Sequence, residues 1–499
     1  MSANTITAKG AVACGHPLTA AAAQAILQTG GNAVDAVIAA LLAACVAEPV
    51  LASLGGGGFM LTRRPDGDTR VFDFFAQTPK TAKPLADFYP IDADFGPASQ
   101  SFHIGLGAAA VPGLPAGIEA IHRWGASMPL AQLAEPACEA ARDGVIVNEF
   151  QGYVFDIVRP IFEATLASRE RYGREVAATG RRLRQPELAE SIELIAREGA
   201  DAFYRGEPGR RLVELCRTHG GHLTSEDLSS YRVQVRRPLI FSYRGNRIAT
   251  NPAPSAGGEL IRFALAALEH KPLAPGGWGG ATHLSQLCDA MQATNAVRTT
   301  LLTQPQLAAE LLAPQVTRGT THISIVDGNG FLAAMTVSNG EGCGHLIPGT
   351  GIMLNNMLGE EDINPEGLGQ WPCATRMGSM MAPTLLQLGD AEFVLGSGGS
   401  NRIRSAILQV LVNLVDFGMT ADEAINAARM HLESALLSAE PGISAAVLAT
   451  VAKTEKLADL HPWESNNLFF GGVHLAGRIN GQFVATGDSR RGGVGLIVS

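Results

Sequence analysis

The stretch Arg318-Gly319-Thr320-Thr321-His322 sets a threonine directly behind a glycine, at the start of an alternating run from Thr321 to Val326. A threonine so placed has a chemical use if the Gly319–Thr320 bond is cut. Thr320 would then carry a hydroxyl and a free α-amine, and an amine with a reference pKa of about 7.7–8 suits a general base near neutral pH. One residue would supply both nucleophile and base, as in N-terminal threonine catalysis. On pattern alone a Thr-Thr pair is more simply two β-branched strand formers, so the choice rests on the rest of the chain.

Other groupings offer less. Gly55 to Gly58 is followed by neither a Lys-Ser/Thr pair nor a helix start, both of which a phosphate cradle needs. His219 and His222, in His-Gly-Gly-His, have no third or fourth ligand nearby, and a glycine-rich turn is a common place for solvated histidines. Gly396-Ser397-Gly398 approaches a serine-hydrolase elbow but continues Gly399-Ser400-Asn401-Arg402, which reads as a loop of backbone donors. No metal site and no organic cofactor are expected.

The elements that must position these residues are mixed. Residues 19–27 read as a helix stopped by Gly30-Gly31, and Asn32 caps a second apolar helix to about residue 47. Residues 59–62 and 70–74 read as strands around Pro65-Asp66-Gly67. The stretch 130–268 reads as a helical lobe. Beyond it, strands are expected at 321–326, 331–338, 382–388, 392–395, 474–479 and 482–486, with helices at 403–417 and 420–429. The order is not a regular βαβ alternation, so the expected fold class is α+β, a layered sandwich with antiparallel strands.

Composition narrows the partners. The 499 residues are 46% apolar and 17% charged, which suits a compact globular protein. A net charge of −9, with no Lys/Arg run longer than a pair, gives no footprint for nucleic acid or an anionic membrane, so small molecules or short peptides are the expected ligands. The apolar run 36–47 ends at Glu48-Pro49, and the first fifteen residues lack a basic start before an apolar stretch. Neither a membrane span nor a signal peptide is expected, and the expected location is cytoplasmic. Seven widely spaced cysteines fit buried thiols in a reducing compartment.

Widely separated motifs decide between the readings of Thr320. Before it come Gly15-His16-Pro17, Gly30-Gly31-Asn32-Ala33-Val34-Asp35-Ala36, Glu48-Pro49, Gly55 to Phe59, Pro112-Gly113 and Pro252 to Gly258. After it come Thr320 to Ser324, Gly351 to Asn356, Met381-Ala382-Pro383-Thr384, Gly396 to Ile403 and Asp488-Ser489-Arg490. In this order, over nearly the whole chain, the sequence resembles the γ-glutamyltranspeptidase family of self-processing N-terminal nucleophile hydrolases.

The resemblance implies a four-layer αββα sandwich made from a large fragment, 1–319, which includes the helical lobe, and a small one, 320–499. The two would stay associated, and pairs of such heterodimers are one assembly open to them. Maturation would run by attack of the Thr320 hydroxyl on the Gly319 carbonyl. The family's second hydroxyl, hydrogen-bonded to the nucleophile, falls on Ser338, and its two oxyanion-hole amides fall on Gly399 and Ser400. Such donors are each worth on the order of 3 kcal/mol in a transition state.

Substrate positions depart from the family. The arginine that clamps the glutamyl α-carboxylate, after Asp-Phe, is replaced here by Phe75, and only another cation such as Arg376 could stand in for it. An asparagine becomes Gly340 and a glutamine becomes Met357; of a serine pair Ser379 remains and the second is Met380. The acid that holds the substrate amine is matched by Glu360 or Glu361, which read equally as part of a solvated acidic face. The stretch between Asn356 and Ser379 also looks shorter than in members with a lid, which implies a more open site. The expected function is a self-processing amidohydrolase or acyltransferase that forms an acyl-enzyme on Thr320 with γ-glutamyl or related amides. Glutathione is expected to be a poor donor. The alternatives are a divergent acylase, like the cephalosporin-acylase-like relatives, or a catalytically silent scaffold.

Overall fold

A computed structural model describes residues 8–84, 86–94, 99–301, 319–364, 367–433 and 435–499. The segment that holds Pro314-Gln315-Val316 and Arg318 lies outside the described residues, and description resumes at Gly319.

Asn32 starts the second helix as expected. Its side chain accepts from the Val34 and Asp35 amides while Asp35 accepts from the Asn32 amide, a reciprocal cap on Ala33–Ala47. That helix is apolar on all sides and is buried along its whole length. With Pro17–Gln28 it covers the outer face of a seven-stranded sheet.

The strands of that sheet run in the order Val494–Val498, Gly10–Cys14, Thr320–Asp327, Leu332–Ser338, Gly57–Arg63, Thr69–Phe74 and Gln234–Arg236, each antiparallel to its neighbours. A second, six-stranded antiparallel sheet packs on its inner face, in the order Gln482–Thr486, Gly472–Ile479, Ala391–Gly398, Thr384–Leu388, Asn246–Thr250 and Leu239–Tyr243. The helices Ala256–Leu268, Ala281–Leu301 and Arg402–Val415 close the other side. The result is the four-layer αββα arrangement. The sheets come closest where Thr320–Asp327 crosses Ala391–Gly398. A Cβ on Gly396 would stand 2.3 Å from the His322 ring, so only glycine lets the layers meet there.

Three expectations need correction. Part of the supposed helical lobe is sheet: Gln234–Arg236, Leu239–Tyr243 and Asn246–Thr250 are strands, the last two joined by a tight turn with φ +51° at Arg244 and +77° at Gly245. Leu-Ile-Phe-Ser-Tyr before that turn, with Ile240, Phe241 and Tyr243 as strand formers, is a short signal inside a long helical context. The strands Gly10–Cys14 and Val494–Val498, near the two ends of the chain, were also missed. The helix expected at 420–429 stops at Asn426, because Arg429 turns inward to a buried acid.

The order of strands interleaves residues before and after Gly319. Gly10–Cys14 lies between Val494–Val498 and Thr320–Asp327, and Gly57–Arg63 is hydrogen-bonded to Leu332–Ser338. Six cysteines are buried as thiols, and Cys373 is exposed. Among the described residues no helix is long and apolar enough to cross a membrane.

Candidate active site

Register brings the candidate residues into one row. Thr320 pairs with Ser338, Ser338 with Gly57, and Gly58 with Phe74, so Phe75 closes the row at the fourth strand. The Ser338 hydroxyl donates to the Gly319 carbonyl at 2.5 Å and accepts from the Gly340 amide at 3.0 Å. A hydroxyl so placed polarises the carbonyl that Thr320 adjoins. Thr320 and Ser338 are both buried. The glycines around them are small for a reason that has nothing to do with phosphate. A Cβ on Gly56 would meet Ser338 O at 2.4 Å, and one on Gly58 would meet Thr336 O at 2.4 Å, so the tetrad lets backbone lie against backbone.

The loop after Ser338 brings acids to the same place. Glu341 Oε1 accepts from the Gly319 amide at 3.1 Å. A Cβ on Gly340, whose φ is +62°, would come within 1.9 Å of Asn356 Oδ1 and 2.3 Å of Glu360 Oε1. Glu360 is buried, not part of a solvated face, and its carboxylate fills the space a side chain at residue 340 would need. Asn355 ties this loop to the glycine tetrad through bonds to Gly55 O and Ala110 O at 2.7 and 3.0 Å.

Across from Thr320, Ala391–Gly398 ends in the loop that holds Gly399 and Ser400, with φ of +120° and +52°. Left-handed backbone at a serine costs roughly 1–2 kcal/mol. The loop touches the strand that Thr320 begins: a Cβ on Gly398 would stand 2.3 Å from Thr320 O.

Arg376 does not stand in for the missing clamp. Its Nε lies 3.5 Å from Asp73 Oδ1, its guanidinium donates to Phe75 O and the Tyr231 hydroxyl, and it stacks on the Tyr231 ring at 4.5 Å. Asp73 is shared with Arg236 at 2.8 Å. Phe75 is buried and stacked on Phe59 with ring centroids 5.5 Å apart, and Met357 is buried too. Ser379 is bonded elsewhere: its carbonyl accepts from Ser255 Oγ at 2.9 Å, and its hydroxyl accepts from Met381 N at 3.1 Å. Met380 is buried, with its carbonyl against Gly257. His222, expected in solvent, is buried against Trp371 and accepts from Lys83 N at 3.1 Å.

Two groups near Thr320 went unassigned in the sequence, Glu48 and Arg491. Each sits in or beside a quoted motif, Glu48-Pro49 and Asp488-Ser489-Arg490, and that adjacency was the available signal. Glu48 accepts from Thr321 Oγ1 at 2.7 Å and from Thr19 Oγ1 at 2.8 Å. Burial pushes its carboxyl up to about 7, against the pull of those two hydroxyls. An unfolded glutamate ionises near 4.5, so as pH rises toward 7 the unfolded chain sheds its proton first and the fold loses up to about 3 kcal/mol. Glu48→Gln keeps both hydroxyl contacts. It is expected to raise the thermal midpoint over wild type at pH 8 and to match wild type at pH 4.5, and an equal difference at both pH values would sink this account. His322, with Thr336 Oγ1 at 2.7 Å and Ser324 Oγ at 2.9 Å, is held neutral by burial and by His474.

The fold is that of the N-terminal nucleophile hydrolases, and the chain is an enzyme. It belongs to the γ-glutamyltranspeptidase family, whose model (Gamma-glutamyltranspeptidase) matches residues 19–318 and 303–498. It is 32% identical over 492 residues to the Acylase ACY 1 proenzyme of Pseudomonas sp. strain SE83, covering 90% of this chain and 87% of that protein. To the Glutathione hydrolase proenzyme of Escherichia coli K12 it is 32% identical over 457 residues, covering 81% and 78%. The crystal structure of cephalosporin acylase from Bacillus halodurans superposes with a TM-score of 0.83 at 22% identity, over 98% of this chain and 96% of that one.

Proposed function

We propose that the protein is a self-processing acylase whose donor is an acyl amide other than a γ-glutamyl one. In maturation the Thr320 hydroxyl oxygen attacks the Gly319 carbonyl carbon, the C–N bond breaks to free the Thr320 amine, and water hydrolyses the resulting ester. The products are fragments 1–319 and 320–499, which the interleaved strands would hold together. In turnover the Thr320 amine takes the hydroxyl proton, the oxygen attacks the donor carbonyl, and the backbone amides of Gly399 and Ser400 receive the oxyanion charge; the donor C–N bond then breaks, the leaving amine takes the proton from the Thr320 ammonium, and the acyl group stays as an ester on Thr320. Water or an amine then releases the acyl group.

The observation that carries the choice of donor is the commitment of Arg376 to Asp73, Phe75 O and Tyr231, with Phe75 itself buried on Phe59. No side chain in that row offers a cation to a glutamyl α-carboxylate. Loss of one partner of a buried charge pair costs about 2–5 kcal/mol, so a donor that depends on the clamp loses tens- to thousands-fold in affinity. The similarity to an acylase proenzyme over most of both chains agrees with this reading. A γ-glutamyl donor is the second reading, favoured by the buried Glu360 carboxylate next to Gly340, where it could hold a donor amine.

A panel of p-nitroanilides separates the two. The glutaryl anilide, which lacks the α-amine and α-carboxylate, is expected to exceed the γ-glutamyl anilide at least tenfold in kcat/KM. A γ-glutamyl preference would reverse the assignment, and Glu360→Gln should then raise its KM.

A further inference from the structure

Arg491 is a buried guanidinium with no acid beside it. It is 3% exposed, and among the described residues no carboxylate lies within ion-pair distance of it. Asp488 is held instead by Arg429 at 2.7 Å and Arg490 at 3.2 Å. Nη1 of Arg491 donates to Thr320 O at 3.3 Å and Nη2 to Leu468 O at 3.4 Å, while Nε has no hydrogen-bond partner. The guanidinium lies against the loop opposite the nucleophile, where a Cβ on Gly398 or Gly399 would stand 3.0 or 3.2 Å from its nitrogens. With Gly319 and Glu341 it also walls a cavity of about 20 Å³, room for a single water.

A buried charge without a counter-ion is costly, so its place in the fold calls for an explanation. We infer that Arg491 is a positioning residue: it ties the first residue of the nucleophile strand to the Gly398–Ser400 loop, and its charge keeps the freed Thr320 amine in the base form. The inference rests on Thr320 as the nucleophile and holds for either class of donor. Burial, with Arg402 adding and Asp488 opposing, brings the Arg491 guanidinium down to about 10, which leaves it charged at neutral pH.

The other charged groups around that amine are acids and a second arginine. Glu341 on Gly319 N, Glu360 beside Gly340 and Glu48 behind Thr321 all favour the protonated amine. Arg402, at the helix start after the loop, acts in the same sense as Arg491. His322 and His474 are neutral, burial having lowered both. A cation removed from this setting lets the amine hold its proton to higher pH, by about one unit.

The test compares processed wild type, Arg491→Met and Arg491→Lys by the pH dependence of α-amine labelling at Thr320, read by mass spectrometry, and by the acid limb of kcat/KM. Arg491→Met is expected to move both midpoints up by about one unit and to lower kcat about tenfold with KM little changed, and Arg491→Lys should restore the midpoints. Midpoints unchanged in Arg491→Met overturn the inference. If Arg491→Met stays uncut, self-cleavage reads the tie to the loop: rescue by Arg491→Lys with wild-type midpoints in the cut protein supports the inference, and failure in both variants overturns it. An uncut wild type would instead refute Thr320 processing itself, a result that intact mass reports separately.

Discussion

Thr320→Ala is expected to leave a single 499-residue chain without amide-hydrolysing activity, while wild type separates into fragments 1–319 and 320–499. The expectation follows from placement. Ser338 Oγ is 2.5 Å from the Gly319 oxygen, so a hydrogen-bond donor already stands where negative charge would develop as the carbonyl is attacked. Alanine removes the attacking oxygen and leaves that donor and the strand register unchanged. The loss in maturation should therefore be complete, while the thermal midpoint stays near that of the uncut chain. Thr320→Ser keeps the oxygen but not the β-branch that restricts χ1, and it should cut more slowly and still reach completion. Intact mass over a time course after purification gives all three results. A Thr320→Ala chain that still splits before residue 320 would remove Thr320 from the mechanism, and a wild type that stays whole would restore the silent-scaffold alternative.

Much of this architecture could be read from the residues because the signals were local. The Asn32 cap, the strand pair around Asp327–Gly330 and the helix after Asn401 each have a start, a period and a stop within about twenty residues. The strand pair Leu239–Tyr243 and Asn246–Thr250 was lost because each member is five residues long and the flanking sequence is helical for a hundred residues. At the site, Thr320, Ser338 and Gly319 come together through strand register, which the alternation of the two strands nearly fixes. Arg376 shows the opposite case. It is 301 residues from Phe75 in sequence, and only the folded chain shows that Asp73 and Tyr231 already claim its charge. Arg491 and Glu48 lie in or beside motifs, but their roles were hidden for the same reason: what matters about each is the absence of an ionic partner or the depth of burial, and neither is a property of a short motif.

Asp488→Ala is expected to lower stability by about 3–5 kcal/mol and to slow self-cleavage as well. Asp488 is fully buried and takes Arg429 Nη2 at 2.7 Å, Arg490 Nη1 at 3.2 Å and the Val473 amide at 2.8 Å. Glu440 also binds Arg490, at 2.6 Å, so removal of Asp488 leaves Arg429 as the guanidinium without an acid in contact. Burial alone would raise the Asp488 carboxyl, but the two arginines and the Val473 amide outweigh it and hold the pKa below the ordinary aspartate value. Its contribution is therefore in place at and above about pH 4 and is lost only as the pH falls below that, through the lowered pKa. The effect on cleavage comes from the same turn. Asp488 Oδ1 accepts from Arg490 N at 3.0 Å, and Arg491 follows directly, with its guanidinium on Thr320 O. Without that anchor the buried charge beside Thr320 loses its position. Asp488→Asn, which keeps the shape but accepts through a single oxygen, should fall between alanine and wild type in thermal midpoint and keep only one of the two amide contacts, to Val473 or to Arg490. If Asp488→Ala unfolds within 1 kcal/mol of wild type, the network does not hold this corner together, and a cleavage rate equal to wild type would separate Arg491 from it.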